Sequence, residues 1–216
     1  MKRFAQISRS FWGQERGTAL VELAIVIPLF LLLIFGVVDY GRLFWSTTAA
    51  QKAMHTAARL ATVGPPLCGA LPVSHELAGG APGGTRFGAL CRTGGICADE
   101  TANLPAPCTL DTSTPYGARI WDEIGPLLPP GSSPANVQFT YSHDWRLGFL
   151  GGPYTPVVTA DLIDVDFDFV MPLAGLAAFA ARNPAVTSNT PNSISLPAMS
   201  TSVPAEDLAV GDGVVE

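Results

Sequence analysis

"RGTALVELAIVIPLFLLLIFGVV", residues Arg16 to Val38, sets one carboxylate near its start and then runs for sixteen residues, Leu23 to Val38, without a charge. Counted from Ala19, the run reaches the roughly 20 residues a helix needs to cross a bilayer. Glu22 is out of place there. A carboxylate costs about 2.5 kcal/mol or more at mid-bilayer and less near the interface. It needs either a partner or a position from which it snorkels to the headgroups. Lys2, Arg3, Arg9 and Arg16 precede the run and only Arg42 follows it closely. The positive-inside rule therefore predicts a cytoplasmic N-terminus, with the bulk of the chain on the far side. "STTAA" at Ser46 to Ala50 has the small residues of a signal-peptide cleavage site, but such peptides carry apolar regions of only about 7 to 15 residues. A membrane helix is the better reading.

Beyond Thr62 about 150 residues remain, enough for one modest domain with its own core. Charged residues make up 14% of the chain and the formal net charge is −6. That leaves no basic field for a phosphate backbone, so nucleic acid is not an expected partner. The chain has no Gly-x-Ser-x-Gly, His-Glu-x-x-His or phosphate-cradling glycine loop. Its histidines are His55, His75 and His143. His143 stands beside Asp144 on an expected strand, where neighbours point to opposite faces and make no dyad. No catalysis and no cofactor is expected.

The order of features at the N-terminus is informative. A basic leader ends in Gly17, Thr18 follows, and Glu22 is the fifth residue after the glycine. This resembles the type IV prepilin signal, which implies that residues 1–17 are a cytoplasmic leader cut off by prepilin peptidase between Gly17 and Thr18. Pro28 inside the apolar run, the exit Asp39 to Arg42 ("DYGR"), and Arg59 in "TAARLA" extend the likeness. From Arg16 to Leu60 the chain resembles the TadE-like family of pseudopilins in tight-adherence (Flp) pilus systems. Leu23 departs from the family's usual aromatic after the glutamate, and Ala57 from its usual glycine; neither changes the charge pattern.

The resemblance implies a pilin-like α+β fold and a non-catalytic subunit anchored in the bacterial inner membrane. Its C-terminal domain would lie in the periplasm or in an extracellular pilus. The implied partners are the membrane, prepilin peptidase, other pilin or pseudopilin subunits and an inner-membrane assembly platform. Glu22, Pro28, Asp39, Arg42 and Arg59 are the expected residues of assembly and helix pairing. Cleavage would leave an α-ammonium on Thr18, one helical turn from Glu22. The carboxylate could neutralise its own terminus or that of a neighbouring subunit; the resemblance implies the second. The competing reading is a single-pass anchor carrying a receptor or adhesin domain outside any filament, which would need neither Glu22 nor the cut.

Leu43, Thr47, Ala50, Met54, Ala57 and Ala61 recur at spacings of four and three, with Lys52, Thr56 and Arg59 off the stripe. One helix is predicted over 18–62, about 68 Å long, transmembrane first and then amphipathic. Proline is tolerated inside such a helix, and Gly64-Pro65-Pro66 ends it. Residues 63–135 read as a loop-rich region holding Cys68, Cys91, Cys97 and Cys108. In an exported segment these suggest two disulfides, and four cysteines allow three pairings. Zinc is disfavoured because there is no Cys-x-x-Cys and His75 is the segment's only histidine.

Residues 136–216 read as β-rich with an acidic tail. Val137, Phe139, Tyr141 and His143 alternate with polar residues, as do Ile163, Val165, Phe167 and Phe169 with Asp164, Asp166 and Asp168. The aspartate row is a candidate calcium site. Alternate strand residues stand about 6.5 to 7 Å apart, which fits a solvated face guarding an edge better. "PLAGLAAFAARNP" from Pro172 reads as a short apolar turn or helix, and Asn183 to Asn192 as a polar loop. "SISLPAMSTSV" reads as a last strand with Pro197 at an edge or bulge. The order "MPLAGL" and then a serine-rich strand also resembles the C-terminal half of TadE-like proteins.

Overall fold

A computed structural model of the chain describes residues 15–171, 182, 193–205 and 208, with side chains from residue 19 onward. It divides into two compact units, Met1–Phe44 with Phe169–Asn192, and Trp45–Asp168 with Ser193–Glu216. Helix α1, Glu15–Val63, is 49 residues long, about 74 Å at 1.5 Å per residue. Pro28 lies inside it without ending it. In the first unit its large apolar residues, Leu20 through Val38, face outward. The most apolar stretch has a mean hydropathy of 2.8 and is 0% buried. Among the described residues it is the one helix long and apolar enough to cross a membrane.

The second unit has its own core. Strands β1 (Cys108–Thr109), β2 (Val137–Ser142), β3 (Val157–Leu162) and β6 (Met199–Pro204) form an antiparallel sheet in the order β1-β2-β3-β6. Period-two alternation turns Val137, Phe139 and Tyr141 of β2, and Val158, Ala160 and Leu162 of β3, to the buried face. The register places Phe139 opposite Ala160, so a large side chain fills the space beside a small one. Onto this face α1 lays Ala50, Ala53, Met54, Ala57, Ala58 and Ala61, each 0% exposed. Five of the six are alanine, which holds the helix backbone close to the sheet. This is the α+β, pilin-like arrangement of a long N-terminal helix on a small antiparallel sheet. A second pair, β4 (Asp166–Asp168) and β5 (Ser193–Ser195), is also antiparallel.

A second helix, α2 (Pro115–Ile124), stands where the sequence suggested only loops. Its start follows ordinary helix chemistry: the Thr114 hydroxyl accepts the Gly117 N–H at 3.1 Å and Pro115 occupies the first turn. Ile120 and Ile124, one turn apart, enter the core. The Tyr116 hydroxyl donates to the Leu60 carbonyl at 2.6 Å, in the last turn of α1, and the same carbonyl also accepts the Gly64 N–H at 3.3 Å. A β-carbon on Gly64 would meet the Tyr116 ring at 2.0 Å. A side chain there would have to displace the end of the Tyr116 ring and with it the hydroxyl's bond to Leu60.

Three strand expectations change in detail. "VVTADLIDVDFDFVM" is two strands, β3 and β4, broken where Asp164 takes a left-handed φ of 51°. The Asn136 amide holds the break by donating to the carbonyls of Ile163 at 3.1 Å and Asp164 at 2.9 Å. Pro197 divides the last stretch into β5 and β6, and β6 is an edge of the four-stranded sheet. His143 lies one residue past the end of β2. The turn or helix expected from Pro172, the polar loop at 183–192 and most of the leader and tail fall outside the described residues.

Candidate functional site: the apolar helix and its exit

Glu22 is exposed on α1, flanked by the exposed Val21 and Leu23. No other acidic residue follows on the helix until Asp39, so along the whole apolar run this carboxylate is the single feature able to read a neighbour's charge. Gly17 and Thr18 lie in the first turns of α1. Pro28 is exposed on the same run, and Arg59 is exposed on the outer part of the helix.

Asp39 is different: it is only 5% exposed. One carboxylate oxygen accepts the Met171 N–H at 2.8 Å, and the other accepts the Val170 N–H at 3.3 Å and a guanidinium N–H of Arg42 at 3.0 Å. Three donors, one of them cationic, compensate for removing the charge from water. Arg42 is three residues on and therefore on the same helix face. The Tyr40 and Phe169 rings lie 6.3 Å apart, tilted at 56°. Phe35, Val38, Asp39, Arg42, Val170 and Met171 enclose a cleft of about 350 Å³. Sequence reading placed Asp39 and Arg42 among the assembly residues. It missed Val170 and Met171, which are more than 130 positions away and contribute backbone N–H groups that no side-chain pattern reveals.

The four cysteines are joined as Cys68–Cys108 and Cys91–Cys97. The first bridge ties the chain just past α1 to β1, over a separation of 40 residues; the second closes a short loop with a separation of 6. His75, Cys91 and Cys97 bring one possible ligand atom each to within 4.8 Å of one another. Here the two sulfurs are spent on each other, and a soft metal would need them as thiolates. His75 Nε2 accepts the Thr155 N–H at 3.3 Å and lies 3.1 Å from the Thr155 hydroxyl. The ring tilts against Tyr154 at 5.0 Å, and Tyr154 in turn reaches His143 Nδ1 at 3.0 Å. Burial pushes His75 below the ordinary imidazole range, a neighbouring charge on His143 adds to this, and Glu100 opposes it. Burial first, and then Glu100 and Asp99, push the Tyr154 hydroxyl up to about 12. Such a tyrosine stays a neutral hydrogen-bonding group, and the cluster reads as packing.

Asp144 accepts the Arg146 N–H at 2.9 Å in a turn of its own. Asp166 and Asp168 are exposed on β4, and with Asp164, Asn136 and Ser132 they line a shallow cleft of about 230 Å³. The carboxylates of this row are not among the groups of three or more ligands that gather within 4.8 Å in the described residues.

Against known proteins the chain gives one finding. No curated protein and no solved structure matches it. A family model described as TadE-like protein matches residues 17–59. The matched segment starts at the expected processing glycine and includes Glu22, Pro28, Asp39, Arg42 and Arg59. It covers the apolar run and most of the alanine face, and stops before the loops and the sheet. Over residues 17–59, from the glycine through the apolar helix to its packed outer turns, this chain is similar to TadE-like proteins.

Proposed function

We propose that the chain is a TadE-like minor pilin or pseudopilin: a non-catalytic, membrane-anchored subunit required to assemble a tight-adherence (Flp) pilus or a related secretion filament. The observation that carries this reading is Glu22, the fifth residue after Gly17, exposed at the head of an apolar helix within the matched segment. Prepilin peptidase cuts after Gly17 on the cytoplasmic side. Thr18 becomes the mature N-terminus of a subunit in the inner membrane, with its sheet domain on the far side. Its ammonium pairs with Glu22 of a neighbouring copy or of another pilin subunit, and the low dielectric penalises any stagger that leaves either charge alone. Pro28 and Arg59 shape the helix surface that meets other subunits and the assembly platform. The disulfides suit an oxidising compartment outside the cytoplasm.

N-terminal sequencing of the mature chain tests the cut. The expected result is Thr18. An intact Met1, or a terminus near Ala50, overturns the processing step and favours the single-pass receptor or adhesin reading. Crosslinking to pilin partners in the membrane tests the pairing. Glu22→Ala should insert and fold normally but lose the crosslinks and the pili, since breaking a buried ion pair costs about 3 to 5 kcal/mol. Glu22→Gln, which keeps hydrogen bonding without charge, should lose fewer.

A further inference from the structure

In the loops of the second unit, His75, Cys91 and Cys97 each bring a ligand atom to within 4.8 Å of the others. Backbone holds all three in place. The His75 N–H donates to the Gly152 carbonyl, and the His75 carbonyl accepts the Gly151 N–H, both at 2.9 Å. Cys91 donates its N–H to the Gly148 carbonyl at 3.2 Å. On either side of Cys97, the Ile96 carbonyl accepts the Ala78 N–H and the Ala98 N–H donates to the Glu76 carbonyl, both at 2.8 Å. Gly148 links the first two ligands, because a β-carbon on it would meet His75 Nε2 at 2.0 Å and its bare backbone therefore lies against the ring. None of these contacts uses the bond between the two sulfurs. That bond closes a loop with a separation of only 6, so opening it returns little chain entropy. The ligands stay gathered when the bridge is a pair of thiols.

The imidazole has unspent capacity as well. His75 is 2% exposed, and its Nδ1 is buried without a hydrogen-bond partner among the described residues. A neutral imidazole carries its proton on one nitrogen and a lone pair on the other. With the proton on Nε2, the ring can donate to the Thr155 hydroxyl, 3.1 Å away, and Nδ1 keeps a lone pair that no protein donor meets. A ligating histidine is commonly oriented in this way, by an outer contact from its other nitrogen.

We infer that the dithiol form of this loop is a copper(I) site, with the Cys91 and Cys97 thiolates and the His75 imidazole as ligands, and that the disulfide is its closed form. Thiolates select soft ions. Zinc takes four ligands, whereas copper(I) is satisfied by three, and burial of Cys91 and His75 leaves little room for water as a fourth. Conditions that open the bridge also keep copper in its lower oxidation state. Opening proceeds by exchange with a dithiol reductant. Its thiolate attacks Cys97 Sγ, the more exposed sulfur, and Cys91 leaves as a thiolate; the reductant's second thiol then displaces Cys97. The reductant becomes a disulfide, the bridge takes up its two electrons, and its two protons pass to the cysteine sulfurs, to be released when the ion binds.

The test uses the full chain in detergent, reduced with dithiothreitol, freed of it under nitrogen, and given copper(I) as its bicinchoninate complex. Iodoacetamide then labels each cysteine at a rate read by peptide mass spectrometry. Copper should slow labelling of Cys91 and Cys97 severalfold and leave Cys68 and Cys108 unchanged; any pattern that does not single out Cys91 and Cys97 overturns the site. Unreduced protein should withdraw no copper from the complex, and uptake equal to that of the reduced chain overturns the redox gate. X-ray absorption of the copper-loaded wild type should show sulfur and nitrogen ligands together; sulfur alone overturns His75 as a ligand. His75→Gln should lose the nitrogen and return copper to the chelator severalfold more readily, and unchanged retention overturns the same assignment. Zinc(II) at the same concentration should protect the two cysteines less than copper(I) does; equal or greater protection overturns the choice of ion.

Discussion

The two ends of α1 obey opposite packing rules. Before Val38 the helix exposes leucine, isoleucine, valine and phenylalanine, and the most apolar stretch is 0% buried within the molecule. Beyond Trp45 it hides its smallest residues, with Ala50, Ala53, Ala57, Ala58 and Ala61 all in the core. The reason is solvent. A helix in lipid is covered by acyl chains, so bulky residues on its surface cost nothing and are favoured. A helix seated on a sheet gains from close approach, and every added methylene would push the layers apart. Exposure of large apolar residues thus signals a medium on the first end and would signal a defect on the second.

The largest expected effect separates the ends by covalent closure. Replacing Cys68 and Cys108 with serine should cost the sheet unit about 4 kcal/mol on the chain-entropy account, against about 2 kcal/mol for Cys91 and Cys97, because the first bridge closes the longer loop. Denaturant unfolding of the detergent-solubilised protein measures both. Membrane insertion of the double serine variants should be unchanged, since the apolar end needs no bridge. Equal losses for the two bridges would break the loop-length argument.

A smaller effect tests the packing rule directly. Ala57→Leu on the buried face should destabilise the sheet unit by about 1 to 3 kcal/mol through overpacking. Leu33→Ala on the exposed apolar face should leave that unit's unfolding where it was and alter only membrane partitioning. If both substitutions move the unfolding curve alike, the two ends do not see different media.

Tyr116→Phe should cost about 0.5 to 1.5 kcal/mol, the usual worth of a hydrogen bond, by removing one of the two donors to the Leu60 carbonyl at the end of α1 and leaving the longer one from the Gly64 N–H. The smallest effect is that of pH on the sheet unit. His75 in the fold titrates below its ordinary value because it is buried. The unfolded chain then binds the proton more readily, so the contribution of His75 is complete above about pH 6.5 and declines as the pH falls below it. Unfolding midpoints should drop on acidification over that window, and His75→Gln should flatten the trend. A wild-type midpoint that rises as the pH falls would reverse the sign and remove His75 as its cause.

Much of this molecule was legible from local order alone. A membrane-length helix follows from hydropathy over Ala19 to Val38, its outer face from the spacing of Ala50, Met54, Ala57 and Ala61, and its end from Gly64-Pro65-Pro66; each is a rule about neighbours in the chain. The strand alternation at Val137, Phe139 and Tyr141 is equally local. Helix α2 could have been read too, since Thr114-Pro115 is a helix start and Ile120 and Ile124 share a face, but a region rich in glycine and proline hid it. Other features are not written in any window of sequence. Which cysteines pair depends on which loops the sheet brings together, so three pairings stayed open until Cys68 was placed beside β1. Asp39 was expected to serve assembly, and only the tertiary structure sets the Val170 and Met171 N–H groups against it as well. Side-chain identity carries the signals of helices, strands and charges, whereas backbone hydrogen bonds across more than 130 residues depend on where the chain returns, and that is decided by the whole fold.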